Sequence, residues 1–358
     1  MRFAFFGSSL VSSYWNGACT YYRGIVKALH GRGHEITFYE PRAYQRQEHR
    51  DIADPPWARV RIYEPAGEQA VREVVDEAID ADVILKCSGV GLFDQLLERA
   101  VLELSGNATR IFWDVDAPAT LARMEDDEQD ALRALIPDYD GVFTYGGGDP
   151  VVERYTALGA RFCQPIYNAL DPDTHHPGQP QRRFAADLSF LANRLPDRER
   201  RVEEFFFRAV AAAPEKSFLL AGNGWEGRPG APNLRQLGHV PPQEHNAFNS
   251  SALVVLNVSR ESMARNGFSP ATRVFEAAGA GACLITDAWE GVELFLEPGR
   301  EVLVAHSGAD VAHQLRSLEP STAESIGQAG RERVLAEHTY EKRAELVDSL
   351  LSSWMVAS

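Results

Sequence analysis

Short apolar runs alternate with longer amphipathic stretches along almost the whole chain, and no other feature of the sequence restricts its fold so strongly. A run that is apolar on both faces suits a strand inside a parallel sheet, and the amphipathic stretch that follows suits the helix crossing over it. In the first half "RFAFFG", "EITFYE", "ARVRIYE", "DVILKCSG", "TRIFWDV" and "GVFTYG" are the predicted strands, and "YYRGIVKALHGRGH" is a helix stopped by its Gly-Arg-Gly-His end. A second series follows with "ADLSFLAN", "KSFLLAGNG", "LRQLGHV", "ALVVLNVS", "ACLITDA" and "EVLVA", and two helices close the chain. At 358 residues the chain is too long for one ordinary core. The expected fold class is α/β, with two Rossmann-like doubly wound parallel-sheet domains at 1–170 and 185–340 and a final segment at 341–358.

Between the two series lies "YNALDPDTHHPGQPQRR", rich in Pro, Asp and His and without periodicity, which predicts a linker at 171–184. Its adjacent His175 and His176 read as solvated linker rather than metal ligands, because no Cys or carboxylate helix of matching spacing accompanies them. No metal site is expected.

Lys+Arg 36 against Asp+Glu 51 leaves a net charge of −15, which argues against nucleic acid as a partner. The four cysteines are dispersed in apolar surroundings, as buried thiols of a reducing compartment would be. The opening "MRFAFF" is too short for a signal-peptide core, and no later run reaches membrane length. A cytoplasmic location without a membrane span is the expectation; oligomeric state leaves no signal.

Ligands of open α/β sheets bind beyond the carboxyl ends of the strands. After the first strand, Gly7, Ser8 and Ser9 would let a ligand approach the backbone, and Asn16-Gly17 precedes the next helix. Ser88 and Gly89 after the fourth strand and Tyr145 after the sixth belong to the same candidate edge. The glycine pattern is no dinucleotide fingerprint, although Glu40 ends the second strand. In "FWDVDAPAT", Asp114 and Asp116 would share one face of a strand were it not for the loop signal of Pro118. Either one caps the next helix while the other binds backbone amides, or one is a general base. "TYGGGDP" reads as a helix start with Asp149 at the N-cap and Pro150 at the first helical position.

The second half carries stronger signals. Arg194 and Arg198 in "FLANRLPDRER" follow a strand, where they either meet phosphate oxygens or pair with Asp197 and Glu199. "NGFSPATRVFEAAGAG" reads as a helix with Ser269 at its N-cap and Pro270 at its first position, an N-terminus suited to an anion. Arg273 and Glu276, three apart on neighbouring faces, form either a structural pair or a division of labour, in which the arginine meets a diphosphate and the carboxylate accepts from two ribose hydroxyls.

In the order and spacing of "DVILKCSGVG", "FWDVDAPAT", "GVFTYGGGDP", "YNALDPDTHHP", "DLSFLANRLPDRERR", "LGHVPPQEHNAFNSSALVVLNVS", "TRVFEAAGAGACLITDAWEGVELFLEPGREVLV" and "RVLAEHTYEKRAELV", the chain resembles glycosyltransferases of the GT-B fold, in particular the CgeB-like, spore-maturation type. That resemblance implies two domains facing across a cleft, with a nucleotide diphosphate sugar held mainly by the second domain and the acceptor mainly by the first. It implies that Glu276 holds the ribose, that Asn266, Gly267, Phe268, Ser269 and Arg273 line the diphosphate, and that Arg194 or Arg198 assists. Gly222 would belong to the donor site, the strand end at Gly238 to Val240 would meet the base through backbone atoms, and the last helix, with Trp354, would pack back on the first domain. Retaining members carry two glutamates, and here Phe268 stands where the first belongs; Glu261 is too far upstream to replace it.

The resulting expectation is a glycosyltransferase acting on a hydroxyl or amine acceptor, with Asp116 or Asp114 as base and neither a permanently bound cofactor nor a required divalent metal. The alternatives are a sugar-nucleotide epimerase or hydrolase of the same fold, and a catalytically silent sugar-nucleotide or glycan-binding protein.

Overall fold

In the computed structural model both predicted strand series form sheets in which every pairing is parallel. The structure describes residues 1–14, 16–89, 91–228 and 230–357, and side chains as far as residue 354. The chain divides into two units: Met1–Tyr167 together with Tyr340–Ser358, and Asn168–Thr339.

The first unit contains β1 (Arg2–Phe6), β2 (Glu35–Pro41), β3 (Arg59–Tyr63), β4 (Val83–Cys87), β5 (Thr109–Asp114), β6 (Gly141–Thr144) and β7 (Cys163–Pro165), in the order β3-β2-β1-β4-β5-β6-β7. β1 is central: Phe5 lies beside Phe38 of β2 on one side and Leu85 of β4 on the other. Its residues Phe3–Phe6 and all of β4 are buried, which is why these strands read as continuous apolar runs. β7 has no counterpart among the predicted strands, because three residues ending in proline carry no readable period. The strand direction of winding reverses between β1 and β4, so a crevice opens beyond their carboxyl ends.

The second unit repeats this winding with β8 (Leu188–Leu191), β9 (Phe218–Ala221), β10 (Leu234–Gln236), β11 (Val254–Asn257), β12 (Leu284–Asp287) and β13 (Leu303–Ala305), in the order β10-β9-β8-β11-β12-β13. Its reversal point lies between β8 and β11. Asp287, the last residue of β12, is fully buried; Arg201 Nη2 lies 2.6 Å from it, and Ser259 donates its amide and its hydroxyl. Burial pushes the Asp287 carboxyl above its usual range, partly offset by Arg201 and Ser259.

The last helix, Tyr340–Ala357, belongs to the first unit, where the Tyr340 ring lies against Gly24 and Trp354 packs edge-on to Phe162. All four cysteines are free and buried, and burial pushes each thiol up to about 12, far from reactive. Among the described residues no helix is long and apolar enough to cross a membrane.

Candidate functional site

The helix expected to have Ser269 as its N-cap and Pro270 as its first residue starts two positions later: it spans Thr272–Gly279, with Ala271 as its N-cap. Ser269 instead donates its hydroxyl to the Gly267 carbonyl at 2.9 Å, and the Phe268 amide donates to Glu290 O at 2.7 Å. These bonds hold the "NGFSP" stretch as a folded loop, with Asn266 ending the preceding helix Glu261–Asn266. Phe268 sits at φ 48°, a left-handed conformation rare for an aromatic residue, and its ring covers Gly291, where a Cβ would lie 2.3 Å from it. The position that lacks a glutamate thus carries a structural ring. Glu261 is taken up by Arg200 at 3.1 Å and Arg265 at 3.5 Å.

Arg273 and Glu276 lie in the first turns of that helix, which leads from the carboxyl edge of β11 towards β12. Arg273 Nη1 lies 3.4 Å from Glu276 Oε2 and 3.4 Å from Asn249 Oδ1, while its Nε is buried without a hydrogen-bond partner among the described residues. Both side chains are mostly buried, at 15 % and 13 % exposure, yet their oxygens and nitrogens meet at more than ordinary hydrogen-bond length. The pair is therefore in contact without being saturated. Burial works to raise the Glu276 carboxyl, but His175, Arg273 and His245 together hold it below the usual range.

The two imidazoles come from places the sequence does not connect. The stretch expected to be a solvated linker is laced onto the helix His245–Asn249: Asn246 accepts from the His176 amide and donates to Thr174 O, and Ser250 and Ser251 accept from the amides of Gly178 and Gln181. His176 remains exposed, but His175 is carried inward to 13 % exposure, with Nε2 3.7 Å from Glu276 Oε1. Two glycines permit this approach. A Cβ on Gly279 would stand 2.4 Å from the Leu170 side chain and 3.0 Å from His175 O, and one on Gly178 would meet the Asn246 backbone at 2.6 Å. Gly279→Ala is expected to destabilise the second unit by about 1–3 kcal/mol through this overpacking, measured by urea denaturation. His245 donates Nε2–H to Val240 O at 3.2 Å, and burial and the neighbouring Arg273 push it down to about 4. The Val240 carbonyl, expected to meet a base, is thereby engaged within the chain, and the Val240 residue is 4 % exposed.

Arg194 directs its guanidinium to Glu199, one of the two acidic partners expected for it, and Arg198 lies in the helix Pro196–Val202. Gly222 has φ 118°, and a Cβ there would lie 2.1 Å from Ala192 O, so glycine is required for the ends of β8 and β9 to meet.

In the first unit, Ser8 donates to Asn16 Oδ1 at 3.1 Å, and Asn16 donates to the carbonyls of Ser9 and Ser12. Gly89 lies directly against the Ser8 hydroxyl, whereas Gly17 is exposed. Glu40 is fully buried and accepts from Ser9 Oγ and the Leu10 amide, so it braces the loop after β1. Tyr145 sits edge-on to Tyr21. Asp114 has no exposure: Oδ1 accepts from Ser88 Oγ (2.8 Å), Thr120 Oγ1 (3.1 Å) and the Asp116 amide (3.0 Å), and Oδ2 accepts from Tyr155 Oη (2.5 Å). A carboxylate so enclosed holds its strand end together. Asp116 is the N-cap residue of the helix Ala117–Asp126, but its side chain makes no cap bond there. Asp149, in contrast, is not the N-cap residue; the helix Gly148–Ala157 begins one residue before it, with Gly147 as its N-cap at φ 101°.

Residues 198–348 match the model of a family described as glycosyl transferase-like. No curated protein matches the sequence significantly. Solved structures similar over essentially the full length include sucrose-phosphate synthase from Thermosynechococcus elongatus (14 % identity, TM-score 0.71, 100 % of each chain) and Anabaena HepE in complex with UDP and glucose (14 %, 0.67, 99 % and 100 %). The T4 phage β-glucosyltransferase is also similar (13 %, 0.61, 98 % of each chain). These likenesses, with the two parallel sheets, give the chain the GT-B glycosyltransferase fold.

Proposed function

We propose that the protein is a glycosyltransferase that moves a sugar from a nucleotide diphosphate donor to a hydroxyl or amine acceptor. The observation that carries this reading is the Arg273–Glu276 pair at the start of the helix after β11, in contact but with hydrogen-bonding capacity left over. An arginine and a carboxylate at that edge suit the two polar parts of a nucleoside diphosphate: the guanidinium meets the phosphates, and the carboxylate accepts from vicinal ribose hydroxyls. HepE is bound to UDP, so a uridine diphosphate sugar is the donor class to try first. As the bond from the anomeric carbon to the phosphate oxygen breaks, charge builds on the diphosphate, and Arg273 stabilises it without a metal ion. If the reaction inverts configuration, Asp116 is our candidate for the base that takes the acceptor proton; if it retains, the leaving phosphate takes it.

The test is UDP affinity by calorimetry. Glu276→Gln is expected to weaken binding by about 1.5–3 kcal/mol, the range for hydrogen bonds to a charged group, with the melting curve intact. Equal affinity in wild type and variant would remove the ribose role, and unchanged affinity in Arg273→Ala would reduce the arginine to a structural partner. A second reading, a sugar-nucleotide-binding protein without turnover, is favoured by Phe268, which stands at the sequence position where the resemblance implies a sugar-contacting glutamate. Nucleoside diphosphate release from a panel of nucleotide sugars, with and without acceptors, separates the two; release without any acceptor would point to a hydrolase.

A further inference from the structure

We propose that His175, His245 and Glu276 form a three-ligand site for a divalent transition metal such as Zn2+, and that metal and nucleotide exclude one another there. The second half of this proposal rests on the assignment of Glu276 to the ribose; the first half does not. Among the described residues these are the one group of three metal-capable side chains whose donor atoms converge, all within 4.8 Å of one another. Bonds of about 2.0–2.2 Å in tetrahedral geometry hold zinc ligands roughly 3.3 Å apart. The His175 Nε2 to Glu276 Oε1 separation of 3.7 Å is already close to that.

The hydrogen bonds behind the group orient it for this task. The Val240 carbonyl can only accept, so the bond from His245 Nε2 fixes the proton on that nitrogen and leaves the Nδ1 lone pair for a ligand. His175 is held from behind in the same manner, with Nδ1 3.0 Å from Thr174 Oγ1 and Nε2 turned to Glu276. The carboxylate is divided: Oε1 faces the imidazole, and Oε2 faces Arg273 at 3.4 Å. Two imidazoles and one carboxylate suit zinc and its neighbours rather than Mg2+ or Ca2+, which prefer oxygen donors throughout, and three protein ligands leave a fourth position open. A metal bonded to Glu276 takes up the acceptor capacity that a ribose would use.

Titration of the full chain with Zn2+ by calorimetry, and with Co2+ by its visible absorption in tetrahedral sites, tests the proposal. Wild type is expected to bind one equivalent. His175→Ala and His245→Ala should each weaken binding by about tenfold or more, while His176→Ala, which alters the exposed neighbour, should leave it unchanged. His175→Gln, with circular dichroism of every variant, guards against a loss of fold. Failure of wild type to bind, or equal affinity in the His245 and His176 variants, overturns the metal site, and UDP binding measured without metal then still reports on the nucleotide reading. With zinc at about one hundred times its Kd, the apparent UDP Kd should rise about a hundredfold. Zinc binding as expected with UDP affinity unmoved overturns the exclusion and, with it, the ribose assignment of Glu276, while leaving the metal site standing.

Discussion

Arg201→Met is expected to destabilise the second unit by about 3–5 kcal/mol, the scale found when one partner of a buried ion pair is removed. Asp287 has no exposed surface and Arg201 is its only cationic partner at bonding distance among the described residues, through two nitrogens at 3.0 and 2.6 Å. Without the guanidinium the carboxylate keeps the two Ser259 donors, but its charge is no longer balanced. It must then ionise at a cost or take up a proton. Folding linked to that proton uptake reveals the mechanism: wild-type Asp287 already titrates above its usual range, and in the variant it should titrate higher still. Protonation of Asp287 then relieves part of the defect, so the stability difference between wild type and variant should shrink as pH falls below that raised value. Urea unfolding at several pH values measures both. A loss below about 1 kcal/mol would class the pair with exposed salt bridges.

Asp114→Ala is expected to cost the first unit at least about 3 kcal/mol, because four donors lose a charged acceptor at once and Tyr155 Oη is left buried. This result bears on function as well as on folding. A general base can be replaced with an intact fold and lost turnover, whereas a bracing carboxylate fails in the opposite order. Asp114→Asn separates the two: its amide oxygen can still accept from Ser88 and Thr120, so most of the fold should persist. Unchanged melting of Asp114→Asn together with abolished sugar transfer would return Asp114 to the chemistry and leave Asp116 without that role.

Most strands were legible because both their faces are buried, so apolar runs such as "DVILKCSG" stand out even with Lys86 inside, whose ammonium reaches Asp94 at 2.9 Å. β7 was not, since three residues hold no period. The Arg273–Glu276 pair was legible from its spacing on one helix. Its neighbours were not: His175 reaches Glu276 because backbone amides of an aperiodic stretch bond to Asn246, Ser250 and Ser251, an interaction that leaves no hydrophobic pattern. The late start of the helix at Thr272 has a similar cause. Ser-Pro is a sound helix-start signal, but the Ser269 hydroxyl turns back to Gly267 and the Phe268 amide is already committed to Glu290. The enclosure of Asp114 depends on Ser88, Thr120 and Tyr155, which are gathered only by tertiary structure.

The membership of Tyr340–Ser358 in the first unit makes the second an insertion, entered after Tyr167 and left before Tyr340. Its two ends meet, since Leu170 bridges Thr339 and donates its amide to His338 O at 2.8 Å. During synthesis the order of completion is therefore inverted. The inserted unit has its whole sequence once residue 339 has left the ribosome, while the unit that began first still waits for the ring that covers Gly24 and for the indole that covers Gly141. Until the final helix emerges, Gly24 and Gly141 stay uncovered, and a nascent chain stalled near residue 339 would carry a complete second unit attached to an incomplete first one.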